Sequence, residues 1–442
     1  MNARIGTAQR VRELGAIEYL LDTMEQQAGG HLVRVVDFDG PVDPQLLETA
    51  LRRLVARRPL LRTRIDRSGD GRPVFVLDDG VAPEFSFVER RDADHWIREF
   101  DEQLNTRISV DGDAPVRVRV LASGDPGGEI IVSAAHSVCD GRSLFAFCRD
   151  LIDEYEALRA GDDAATAPAG VISPPLEALL PEWLAGSRLE SMIEGFVAHA
   201  AAIANDPIVM FPLRPNDSGM PSTSHVLSGR VPAAETAALR HHAKANGTTV
   251  TGVIAAAEIH ALAELVRPPD DHSIVPCLTI DMRPHLREPV PLANMGAYLG
   301  SVFTRHADVA AVPGWTLARH VTTQLASKLE RNDQLVMPVL GERFVDQFVT
   351  VDRPIGSLAL ANLGPQELST AGSTLRPRTI RGGAPLHMNK YPGVYCQGVT
   401  ISGELWLTFV YVAPQLADDL ARDFVESVVE RLRVLARTSP AS

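Results

Sequence analysis

Lysine is almost missing from these 442 residues: there are three (Lys244, Lys328, Lys390) against forty arginines, a bias that GC-rich codon usage explains without any functional demand. Cysteine is scarce as well. Cys139, Cys148, Cys277 and Cys396 include no CxxC pair, which excludes the spacings of a zinc site or a dithiol redox centre and leaves reduced thiols in a cytoplasmic protein as the simplest expectation. Positive charge is in deficit, with a formal net charge of −13, and an acidic chain lacks the phosphate-neutralising surface of a nonspecific nucleic-acid binder. Long apolar runs are absent too. The longest, Val250 to Val266, is interrupted by Glu258, His260 and Glu264, so it reads as a buried helix rather than a membrane span. Arg4, Arg10 and Arg12 are followed by no apolar stretch, so no signal peptide is expected.

What is present is an ordinary globular composition, 45% apolar and 22% charged, in a chain long enough for about two or three domains and able to bury its core without staples. Asp43-Pro44 starts a helix, with the carboxylate capping free N–H groups and proline fitting the first turn. Leu47, Ala50, Leu51 and Leu54 follow on one face, up to Arg57-Arg58-Pro59. Residues 128–135 (GEIIVSAA) form a short apolar run, the pattern of a strand buried on both faces. A helix follows from about Ser143, with Leu144, Cys148, Leu151, Ile152 and Tyr155 inward. Ala, Gly and Pro crowd 161–180, which marks an interdomain linker. Beyond it, strands are expected at 225–231, 272–280, 297–305, 355–361 and 392–412. Helices are expected at 233–246, 249–266 and 415–436. The class is therefore α/β or α+β with mixed sheets. The divisions are a lobe over 1–165, a linker at 166–180 and a second lobe over 181–442.

Two features invite chemistry. Arg52, Arg53, Arg57, Arg58, Arg62, Arg64 and Arg67 crowd one short region. They are either a solvated helix face and strand edge, or a local positive surface for a phosphate-bearing donor. His136 closes the buried strand, with Asp140 and Gly141 at +4 and +5. A neutral imidazole is the side chain best suited to proton abstraction near neutral pH, yet a histidine beside a core strand is more often a satisfied structural group. Asp140 can pair with an arginine or cap the next helix, and Gly141 permits unusual backbone angles or a close approach. A metal site would need more ligands than this HxxxD pair, and none is apparent. His241-His242 sits in a helical segment with no Asp-Gly after it and reads as helix surface.

The run Ala135-His136-Ser137-Val138-Cys139-Asp140-Gly141 resembles the HHxxxDG motif of the condensation-domain and acyltransferase superfamily. That group includes condensation domains of peptide synthetases, BAHD acyltransferases and polyketide-associated acyltransferases of the phthiocerol dimycocerosyl transferase type. Leu47 to Thr63 (LETALRRLVARRPLLRT) resembles the family's early helix and "RHPLLRT" segment. Asp281-Met282-Arg283-Pro284 resembles its "DLRP" segment, with Asn294-Met295-Gly296 following as an N-x-G. Asn362-Leu363-Gly364 resembles its late "NLG" element. The segments occur in family order over roughly residues 10–430. Ala135 replaces the first motif histidine, Pro365 stands where many relatives have arginine, and no DFGWG of the plant BAHD type is present.

The resemblance implies two chloramphenicol-acetyltransferase-like lobes in a V with a tunnel between them. It implies His136 as general base, with Asp140, Gly141 and Arg283 as motif support and an Asp140–Arg283 ion pair. Asn362 and Gly364 are implied as tunnel or donor-side positions, with no metal. The activity implied is a stand-alone acyltransferase in specialised lipid or polyketide metabolism. It would move an acyl group from a thioester, either acyl-CoA or a phosphopantetheinyl carrier, to a small-molecule alcohol. The alternatives are a free-standing amide-forming condensation enzyme and a catalytically silent scaffold for a carrier protein. No bound cofactor, nucleic acid or membrane span is expected, and a monomer is compatible with the two-lobed family architecture.

Overall fold

The computed structural model describes residues 8–111, 114–123, 126–162, 168–184, 186–202, 206–214, 221–340, 356–368, 373–386 and 393–438. They form two compact units, each drawn from several stretches of chain. The first takes the described residues up to Pro181, together with Arg283–Tyr298 and Glu367–Pro385. The second takes Glu182–Met282, Leu299–Gln366 and the described residues from Leu386 onward.

In the first unit, strands β1 (Gln9–Glu13), β3 (Thr63–Asp66) and β4 (Val74–Leu77) make a small antiparallel sheet in the order β1-β4-β3. A larger sheet combines β2 (Leu32–Asp39), β5 (Glu84–Glu89), β6 (Val116–Ala122), β7 (Gly128–Ala134) and β12 (Arg376–Gly383), the last numbered by its place in the chain. Its order is β12-β2-β7-β6-β5, antiparallel except for the β6–β5 pair. All seven residues of central β7 are buried, as its continuous apolar pattern requires. Of the helices α1 (Ala16–Ala28), α2 (Pro44–Ala56), α3 (His95–Asn105) and α4 (Gly141–Arg159), α3 and α4 pack on the sheet and α2 packs on α4. Asp43 caps α2 by accepting from the Gln45 and Leu46 amides, and Leu47, Ala50, Leu51 and Leu54 turn inward.

The second unit has a six-stranded mixed sheet of β8 (Thr223–Val231), β9 (Pro276–Asp281), β10 (Leu299–Phe303), β11 (Leu358–Gln366), β13 (Val394–Ile401) and β14 (Glu404–Ala413). The order is β10-β9-β11-β13-β14-β8, with β11 parallel to both neighbours. Its helices are α5 (Ser187–Ala202), α6 (Ala233–Ala245), α7 (Val250–Val266), α8 (Gly314–Glu330), the single turn α9 (Val336–Leu340) and α10 (Asp418–Arg437). Helix α7 is apolar nearly all round and packs against α6, α8, α10 and β11, as an all-round apolar helix must. Among the described residues no single helix is long and apolar enough to cross a membrane.

The expected mixed α/β class is what the structure shows. The expected segment boundaries need correction. Of the linker assigned to 166–180, residues 168–180 fold onto the first unit. The Gly170 amide donates to the Arg57 carbonyl, and Leu176 and Leu179 are buried. Residues 163–167 lie outside the described residues, as do 355 and 392 at the edges of two expected strands. The single strand expected over 392–412 is a hairpin, β13–β14, turned by Ser402-Gly403, both at positive φ. The second lobe does not take all of 181–442, because β12 and the Arg283–Tyr298 segment complete the first unit.

Candidate functional site

His136 lies two residues beyond β7 in a tight turn, half-buried. The Val138 amide donates to the Ala135 carbonyl and closes that turn. His136 Nδ1 lies 2.8 Å from the Cys139 carbonyl oxygen. A carbonyl oxygen only accepts, so Nδ1 carries the proton and Nε2 carries the lone pair. Nε2 has no hydrogen-bond partner among the described residues. Burial pushes the imidazole pKa below the usual histidine value, outweighing the Cys139 hydrogen bond and the charge of Asp140. The ring is thus held as the neutral tautomer, with its basic nitrogen open.

The turn is fastened by Asp140, which caps α4. Oδ1 accepts from the Arg142 and Ser143 amides at 3.0 and 2.9 Å, and Ser143 Oγ in turn accepts from the Asp140 amide. Oδ2 accepts from the Tyr298 amide at 3.0 Å and makes a 2.8 Å ionic contact with the Arg283 guanidinium. Arg283 also stacks over the Tyr298 ring, 4.9 Å from its centroid. Burial works to raise the Asp140 pKa, but Arg283 and the amide donors overcome it and hold the carboxylate ionised. All of these residues belong to the first unit.

The N-x-G segment docks on the same turn. The Gly296 amide donates to the Val138 carbonyl at 2.8 Å, and Gly296 adopts φ +97°, a conformation open to glycine. The Asn294 side chain accepts from the Val171 amide and donates to Ser173 Oγ. Breaking a buried, multiply bonded ion pair typically costs about 3–5 kcal/mol. Asp140→Ala is therefore expected to destabilise the chain by about that amount and to lower its denaturation midpoint, whatever it does to activity.

The other reactive-looking neighbours are structural. Cys139 is fully buried and its thiol donates to the Ala135 carbonyl. Burial drives its pKa well above the normal thiol value, and Ser137 is buried too. A buried, protonated thiol is a poor nucleophile. Native protein treated with iodoacetamide at pH 8 should remain unlabelled at Cys139, with labelling appearing after unfolding, as read by peptide mass spectrometry.

The arginine-rich region is only partly a solvated face: Arg52 is exposed, whereas Arg58 is buried. Arg52 pairs with Glu48, Arg53 with Glu154 and Arg58 with Asp150; Arg62 pairs with Asp79, Arg64 with Asp78 and Arg67 with Asp22. Carboxylates thus pair with six of the seven arginines. His241 is exposed as expected, whereas His242 is part-buried against Trp315. In the second unit, Asn362 ties β11 to α7 by donating to Thr251 Oγ1, and it accepts from the Gly364 amide at the β11 bulge. Gly364 has φ +68°. Among the described residues no three His, Cys, Asp or Glu side chains converge as a metal site.

The sequence reading missed Arg34 and Tyr298. Arg34 on β2 is 2% exposed and donates to the Gly141 carbonyl at 2.9 Å. Gly141 itself opens α4 without a positive φ, so no left-handed angle is needed there. The available signal was a lone arginine inside the apolar strand LVRVV.

The HxxxDG run thus sits in a strand–turn–helix between β7 and α4. Residues 19–170 match the condensation-domain family profile, and residues 220–389 match that of the phthiocerol/phthiodiolone dimycocerosyl transferase C-terminus. The chain belongs to this superfamily of condensation domains and related acyltransferases. Among solved structures it is similar to trichothecene 15-O-acetyltransferase from Fusarium sporotrichioides, at 14% identity and TM-score 0.77, covering 97% of this chain and 95% of that one. It is also similar to polyketide synthase associated protein 5 from Mycobacterium tuberculosis, at 16% identity and TM-score 0.67, covering 98% and 99%. At such identities the likeness is one of fold. A linear gramicidin synthase of Brevibacillus parabrevis is 26% identical over 163 residues, which is 35% of this chain and 2% of that protein. Enniatin synthase of Fusarium equiseti is 26% identical over 151 residues, 34% of this chain and 5% of that protein. The chain thus spans only a few per cent of the length of these curated relatives.

Proposed function

We propose that this chain is an acyltransferase that moves an acyl group from a thioester, on CoA or a carrier protein, to an alcohol, with His136 as general base. The observation that carries the reading is the Nδ1–Cys139 carbonyl hydrogen bond, which leaves Nε2 unprotonated and open. The acceptor hydroxyl gives its proton to Nε2 as its oxygen attacks the thioester carbonyl. The tetrahedral adduct then collapses with cleavage of the C–S bond, and the imidazolium returns the proton to the departing thiolate. No acyl-enzyme forms, in keeping with the burial of Ser137 and Cys139. Asp140 and Arg283 act on the turn and not on the substrate.

A second reading, amide formation by a free-standing condensation enzyme, is favoured by the condensation-domain match over residues 19–170 and differs only in the acceptor. Thiol release from a panel of acyl-CoAs and acyl-pantetheine thioesters, with alcohols or amines added, tests both. Alcohol-dependent release supports ester formation, and release that depends on amines alone supports the second reading. With a carrier-loaded donor included, a lack of acceptor-dependent release from every donor would leave the silent carrier-binding scaffold.

A further inference from the structure

Strand β2 is apolar along the face that it turns to α4, with one exception. Leu32, Val36 and Phe38 are buried on that face, and Arg34 is buried with them. A guanidinium inside a sheet–helix interface is costly unless its donors are used. One NH2 group spends its donor on the carbonyl of Gly141, the first residue of α4. Beneath it runs β12, where Gly382 is Arg34's ladder partner. A Cβ built on Gly382 would lie 1.7 Å from Arg34 NH1 and 2.7 Å from Cζ. Gly382 has no positive φ, so a side chain there would displace the Arg34 guanidinium without straining the backbone. The arginine in β2 and the glycine in β12 are matched to each other.

What this pair holds is the turn that carries His136. Nδ1 is fixed by the Cys139 carbonyl, Asp140 caps α4, and the carbonyl of the next residue is held from below by Arg34. The charged groups that act on the imidazole are Arg34 from β2 and Asp140 from the cap of α4, the latter balanced by Arg283. Cys139 and Cys148 are also buried here and stay protonated, with Cys148 pushed up to about 12. Asp140 favours the imidazolium and Arg34 opposes it.

We infer that Arg34 is a positioning residue for His136: it pins the first carbonyl of α4, and with it the turn that aims the ring, and it sets a fixed positive charge behind a base that has to stay neutral. Gly382 is the vacancy that lets it do so. The inference rests on His136 acting as a base, but its test is read without turnover.

The full chain, with its histidines 13C-labelled, is titrated by NMR, and the His136 ring signal is assigned by its loss in His136→Asn. Arg34→Met is expected to raise the His136 midpoint. Gly382→Ala, which displaces the guanidinium while keeping its charge in the chain, is expected to move the midpoint in the same direction by less. A folded Arg34→Met protein whose His136 midpoint is unchanged overturns the inference. If Arg34→Met does not fold, an unchanged His136 signal and midpoint in Gly382→Ala overturn it. In turnover, the acid limb of kcat/KM moves to higher pH with the midpoint, with about a tenfold loss per unit of rise at pH values below both midpoints. Loss of the proposed function would show instead as undiminished turnover in His136→Ala, and the titration would still decide the part played by Arg34.

Discussion

His136→Ala is expected to lower acceptor-dependent thiol release by about 10²- to 10⁴-fold, the range that general-base assistance supplies, with little change in melting temperature. The ring is half-buried and its hydrogen bond is to a carbonyl within its own turn, so its loss removes chemistry more than packing. The pH profile gives a second reading. Burial lowers the His136 pKa, so the imidazole stays neutral, and the rate is expected to stay on its plateau, to a pH below the ordinary histidine range. The same shift has a small stability cost in acid. Between the lowered native value and the unfolded value of 6.5, the unfolded chain takes up a proton that the native chain refuses, so stability falls as pH falls through that window. His136→Ala removes this cost. A folded His136→Ala protein with undiminished release would sink the general-base assignment. Ala135 sharpens the test, because no second motif histidine stands beside His136 to take over.

Local grammar made much of the fold legible. The Asp43 cap, the inward stripe of α4, the buried run of β7 and the periodicity of α10 all depend on residues within a turn or two of one another. Long-range pairing was not legible. Strand β12 (RPRTIRGG) carries no alternation that stands out, and its place beside β2 is set by tertiary partners: Arg381 pairs with Asp37 at 2.6 Å, and Gly382 makes room for Arg34. The turn carrying His136 could be placed from the strand before it and the helix after it. The Arg283 contact with Asp140 needed the family resemblance, since no local rule connects residues so far apart in the chain. Arg34 was masked by its setting, because an arginine in a strand is ordinarily read as pointing to solvent.

One pH dependence of the second unit's stability should come from a single carboxyl. Glu258 on α7 is 0% exposed, and no strong donor pairs with its carboxylate oxygens among the described residues. Its neighbours on the helix are Ala255, Ala256, Ala257 and Ile259, all buried, and the polar group acting on it is the Cys396 thiol of β13. Burial raises its pKa from 4.5 to about 8, so the native carboxyl keeps its proton at neutral pH. From pH 4.5 upward the unfolded chain releases a proton that the native chain retains. Stability therefore falls as pH rises, by at most about 1.4 kcal/mol per unit, and the slope ends near pH 8, where the native carboxyl ionises as well. Over the whole window the loss is on the order of 5 kcal/mol, a large share of the ~5–15 kcal/mol by which domains are stable. Glu129, pushed to about 7 by burial, adds a slope of the same sign, and His306, lowered to about 4 by burial, adds one of opposite sign below pH 6.5, so the residue-specific measure is a difference between variants. Glu258→Met, of similar reach and without charge, is expected to be little different from the parent at pH 4.5 and more stable by several kcal/mol at pH 8. Glu258→Gln should flatten the same slope while leaving an amide without partners. Denaturant midpoints at both pH values read the effect, and parallel pH dependences in parent and Glu258→Met would show that this carboxyl is ionised, or solvated, in the native fold.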